Sequence, residues 1–148
     1  MEKKFLKNFM KGRVIGIIVI LVLILGYYLV SPLWRNKALE ESMPERTAIL
    51  SEAAITADAH EVAGKALLLD AGGHAIVRFE NLETINGPDL RIYLSSGLDV
   101  SDAIDLGPIK ATHGSVNYEV PPGTDLSKYR HVLIWCRAFR VLFSHADL

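Results

Sequence analysis

The chain has 148 residues, half of them hydrophobic, and a formal net charge of −1. That size and balance suit one globular domain. After residue 60 acids slightly outnumber bases, which excludes a nucleic-acid surface, and the single cysteine excludes an internal disulfide.

Residues 1–13 form a basic segment, with Lys3, Lys4, Lys7, Lys11 and Arg13 against Glu2. Val14–Val30 then carries no charge, and with Leu33 and Trp34 the apolar stretch approaches the roughly 20 residues that a spanning helix needs. Tyr27, Tyr28 and Trp34 fall where interfacial aromatics are expected. Residues 14–34 are therefore read as a single-pass signal anchor in the lipid bilayer. The excess of Lys and Arg before the span puts the N-terminus in the cytoplasm and the rest outside it. A cleaved signal peptide is the competing reading. Its apolar core runs about 7–15 residues and ends in small residues, whereas this one is longer and ends in Tyr-Tyr-Leu-Val.

Residues 35–59 alternate Glu40, Glu41, Glu45, Glu52 and Asp58 with alanines around Pro44. The composition predicts a charged, partly helical stalk in two pieces, holding the following domain off the bilayer.

From residue 60 the period changes to two. Lys65–Asp70 and Ala75–Glu80 flank Ala71-Gly72-Gly73-His74, which predicts a hairpin. In the second run Ala75, Val77 and Phe79 share one face. Asn86-Gly87-Pro88-Asp89 reads as a turn, and Leu90, Ile92 and Leu94 form the next inward set. Further strands are expected at Ser115–Val120, Val132–Cys136 and Phe139–Phe143. Short strands between Gly/Pro/Asn/Asp turns predict an all-β domain over 60–148, a compact antiparallel sandwich or barrel.

The only cysteine, Cys136, shares a strand face with Val132 and Ile134. Two readings stay open. Burial among aliphatics raises a thiol's pKa and makes it inert. A neighbouring cation does the reverse, and Arg137 follows directly as a candidate thiolate stabiliser, with Arg130 and Arg140 near in sequence. A lone thiol can form a sulfenic acid or a mixed disulfide with another protein, but cannot shuttle a dithiol pair. His113, His131 and His145 supply copper-ligand types beside Cys136, yet Met1, Met10 and Met43 all precede the β domain. Asp99, Asp102 and Asp105 recur in an expected loop without the EF-hand spacing, so turn-forming acids are the better account. Hydrolase and phosphate-loop motifs do not occur. No metal and no cofactor is expected.

An ordered set of segments resembles the DM-thirteen domain, often labelled the electron-transfer DM domain. It comprises Phe79-Glu80-Asn81-Leu82, Asn86–Leu94, Asp105-Leu106-Gly107, Asn117–Pro121 and Tyr129 to Leu148 around Trp135-Cys136. The resemblance spans about residues 60–148. It implies a compact extracytoplasmic β domain with Cys136 at the family's characteristic cysteine. Arg140 and Ser144-His145 depart from the smaller residues expected in the last strand. The expected role is thiol-based redox or electron transfer with an unidentified external protein or redox partner, in a component that is not a stand-alone enzyme. The alternative is a non-catalytic binding or adhesion module in which Cys136 fills the core.

Overall fold

A computed structural model describes residues 2–30 and 37–148. Helix α1 (Glu2–Val30) is followed by β1 (Ala38–Glu40), β2 (Thr47–Ala54), β3 (Thr56–Ala57), β4 (Val62–Ala71), β5 (Ala75–Thr84) and β6 (Leu90–Ser95). Then come β7 (Ile104–Pro108), β8 (His113–Glu119), β9 (His131–Cys136) and β10 (Val141–Asp147).

The apolar side chains of α1 from Val14 to Leu29 are exposed all round. Among the described residues no helix is long and apolar enough to cross a membrane. At 1.5 Å per residue the charge-free part, Val14–Val30, covers about 26 Å, short of a hydrocarbon core of about 30 Å. Leu33 and Trp34, which complete the expected span, lie outside the described residues.

The strands form two open five-stranded sheets, a sandwich and not a closed barrel. The first has the order β1-β8-β5-β4-β2 and the second β3-β10-β9-β6-β7. All pairings are antiparallel except β1 with β8. The inward sets follow the alternation: Val77 and Phe79, then Leu90, Ile92 and Leu94, then Val132, Ile134 and Cys136 all lie in one core. The expected hairpin closes between β4 and β5, where the Ala71 N–H donates to His74 O and Gly72 and Gly73 take positive φ.

The helical reading of residues 35–58 is corrected: this segment supplies three strands. Propensity is a weak prior, and here the sheet edges supply backbone partners that an isolated alanine-rich piece lacks. β2 pairs along β4 from Thr47 opposite Ala71 to Ala54 opposite Lys65, and β1 pairs with β8 from Ala38 opposite His113. β10 begins at Val141, not Phe139, because residues 137–140 form a turn. The 99–107 segment, read as a loop, carries all of β7 but its last residue, Pro108.

β1 and β2 occupy opposite edges of the first sheet, so residues 41–46 cross its outer face as a strap. Beneath it Arg78 is only 6% exposed. Its guanidinium donates to Glu41 O, Ser42 O and Asn117 Oδ1 and bonds Glu80 at 3.0 Å, so the buried charge is paired and hydrogen-bonded. Arg78 at 3.0 Å, more than the burial that opposes it, holds the Glu80 carboxyl below its ordinary range. Leu67 and Leu69, on the same outer face, are buried as well.

β5 bulges at Glu80–Asn81, where Asn81 adopts φ 50°. Its neighbours answer with glycine. A Cβ at Gly64 would lie 2.7 Å from Asn81 O, and one at Gly114 would overlap Leu39 O in β1.

The register also defines one end of the sandwich. Ala38 and His113 begin their strands there, Thr84 ends β5, Leu90 begins β6, Cys136 ends β9 and Val141 begins β10. We call it the entry end, because the chain arrives there from α1.

Candidate functional site

Cys136 is the last residue of β9, opposite Leu90 of β6 and Val141 of β10. Its side chain is 0% exposed within the hydrophobic core, and its thiol is free. The pleat that turns Cys136 inward turns Trp135 outward. The strand stops immediately afterwards, so a solvent-exposed turn, 137–140, starts one residue from the sulfur. Arg140 closes that turn with φ 56°.

Arg137 lies beside Cys136 in the chain but serves a different partner. Its backbone N–H donates to Asp89 O at 2.9 Å, and its Nε donates to Asp89 Oδ2 at 2.7 Å. The side chain is 57% exposed and lines a shallow groove on the outer face of the second sheet with Tyr93, Trp135, Arg140 and residues 99–101. Burial raises the Tyr93 phenol above its ordinary range. Arg130 is at the other end of β9, where its Nε donates to Leu148 O. The cations near Cys136 in sequence thus divide between the two ends of the strand.

Facing Ile134 across β9–β10 is Ser144, beside a bulge. Its Oγ is the one buried side-chain oxygen or nitrogen without a partner among the described residues. The bulged Phe143 packs in the core, meets the tilted His60 ring at a centroid distance of 4.1 Å and receives the Asp58, Ala59 and His60 N–H groups on its carbonyl.

The histidines and the aspartate series are spoken for locally. His131 Nδ1 bonds Asp147 at 2.7 Å, and His145 Nδ1 bonds Asp58 at 2.7 Å. His113 Nδ1 lies 3.1 Å from Thr112 Oγ1. Among the described residues no three His, Cys, Asp or Glu side chains gather as metal ligands. Asp99 accepts from the Ser101 N–H, Asp102 from Ser96, and Asp105 from Arg91 and the Gly107 N–H. Each of these acids holds its own turn or strand.

Two residues gained a place that sequence reasoning did not give them. Asp89 was read only as the end of a turn, and it clamps Arg137 across 48 residues. Phe139 was expected to begin a strand, and it stands 66% exposed in the 137–140 turn. Its signal was available in the bracketing arginines, which mark a turn more than a strand.

Residues 54–148 match the family model described as Electron transfer DM13. No curated protein and no solved structure matches the chain.

Proposed function

The chain belongs to the electron transfer DM13 family, and we propose on that ground that its role is electron-transfer or redox-related and that it acts as a membrane-held module outside the cytoplasm whose thiol, Cys136, exchanges with an external protein. The helix supports the membrane part. An α-helix apolar on every side needs an apolar medium, and the side chains of Val14–Leu29 are all exposed.

The observation that carries the redox part is the position of Cys136 at the end of β9, beside an exposed turn. Thiol exchange needs an accessible sulfur. Fraying of the 136–141 corner exposes this one while the rest of the core stays packed, and such local openings cost much less than global unfolding. In the opened state the Cys136 thiol gives its proton to water and its sulfur attacks one sulfur of a partner disulfide. A Cys136–partner S–S bond forms, and the partner's second sulfur leaves as thiolate. Attack by that or another partner thiolate on the mixed disulfide returns Cys136 reduced. Arg137 remains the candidate stabiliser of the thiolate, once the opening frees it from Asp89.

A second reading has its own observation. Complete burial and an Arg137 engaged elsewhere suit a cysteine that only fills the core of a binding module. Alkylation of Cys136 in the full chain across low urea concentrations separates the two. Local opening predicts a rate nearly independent of urea below the unfolding transition, since fraying exposes little surface. A rate that climbs with the slope of global unfolding would overturn the redox reading in favour of the core cysteine.

A further inference from the structure

The anchored reading carries a consequence for how the sandwich sits. Lys37 is pinned at the entry end: its carbonyl accepts from the Thr112 and His113 N–H groups, and its N–H donates to Thr112 Oγ1. Six residues, 31–36, separate it from the end of α1. Fully extended they reach roughly 25 Å, so the entry end lies within that distance of the helix terminus.

The same end carries the 137–140 turn. Phe139 stands 66% exposed at its tip, between Arg137 and Arg140. Arg140 is exposed and makes no ion pair among the described residues, while Arg137 shares Asp89. Glu61, in the loop before β4, and Glu83 of β5 are also exposed at this end but line a separate groove with Ile85 and His113, whereas the aromatic and basic corner is the β9–β10 turn of the second sheet. An aromatic ring flanked by guanidinium groups matches the headgroup layer, where the ring sinks into the acyl boundary and the arginines pair with phosphates.

We infer that the Arg137–Arg140 turn inserts into the surface of the same bilayer that holds α1, seating the sandwich end-on against the membrane. This rests on the anchored reading. The test is depth measurement by nitroxide labels in the full chain, reconstituted in vesicles of phosphatidylcholine and phosphatidylglycerol. Three labelled variants are compared: Phe139→Cys at the tip, Gly73→Cys at the opposite end and Ile20→Cys in α1. Labelling is brief, so that buried Cys136 stays unmodified, and is repeated in a Cys136→Ala background. Arg140→Cys replaces the tip variant should Phe139→Cys misfold.

The expected result is an oxygen-to-nickel-chelate collision ratio several-fold higher at 139 than at 73, and highest at 20. A deep label at 20 with equal ratios at 139 and 73 would overturn the docking while leaving the anchor intact. A tip shielded from both reagents in vesicles and in detergent alike means a protein contact and also overturns it. A label at 20 that finds no lipid removes the anchored reading and this inference together.

Discussion

Tyr118 shows how one side chain can serve packing and polarity at once. Its ring is buried at 2% exposure and meets Phe79 edge-on at 5.9 Å, while its hydroxyl accepts the Lys110 N–H at 2.8 Å. Burial pushes the phenol up to about 12, with the Lys110 N–H opposing the shift. The unfolded chain ionises near 10, so between these values the unfolded state has lost a proton that the native state keeps. The contribution is therefore complete below pH 10 and disappears as pH rises toward 12. It amounts to roughly 2–3 kcal/mol. Tyr118→Phe is expected to be less stable at neutral pH, through the lost hydrogen bond, and to lose less stability from pH 10 to 12. Urea unfolding across that range checks the difference in slope.

At the scale of elements, the short β1 depends on a single missing side chain. Gly114 has φ 115°, and a Cβ there would overlap Leu39 O. Gly114→Ala is expected to expel β1 and the strap and to cost about 2 kcal/mol or more. Amide exchange should then quicken at Glu41, whose N–H bonds Ser115 O, and stay slow in β9. Uniform quickening would mean that β1 is not a separable unit.

The same elements show what the residue order could reveal. β5, β6, β8 and β9 were legible because one face of each is apolar at period two, as in Leu90, Ile92 and Leu94. β1 to β3 were not, since Ala, Glu and Thr there mark neither a face nor a period, and their strand character comes from edges far away in sequence. β7 was hidden by Asp105, by Gly107 at φ 117° and by Pro108. For the site, alternation placed Cys136 on the inward face with Val132 and Ile134. It could not foresee that Asp89, 48 residues earlier, takes up Arg137. Contacts of that separation are set by the fold and not by spacing.

For the whole molecule, the connections are mostly distant in sequence. β1 pairs with β8 across 75 residues, β3 with β10 across 87, and β6 with β9 across about 40. Loops this long must close before their contacts can form, which slows folding. The β domain is expected to refold in milliseconds to seconds, and stopped-flow tryptophan fluorescence at Trp135 would report it. A microsecond phase carrying the full amplitude would contradict that expectation.

The pinning of Lys37 also governs how the protein bears load. β1 rises from the entry end parallel to β8, so a pull on the chain directed out of that end acts along the strand axis. The hydrogen bonds between β1 and β8, those from Thr112 and His113 to Lys37, and the Arg78 grip on the strap are then strained together and not one after another. A junction loaded in shear resists tension far better than one that unzips. Under such a pull the N-terminal attachment is expected to yield as one unit, a mechanical clamp between the incoming chain and the sheet.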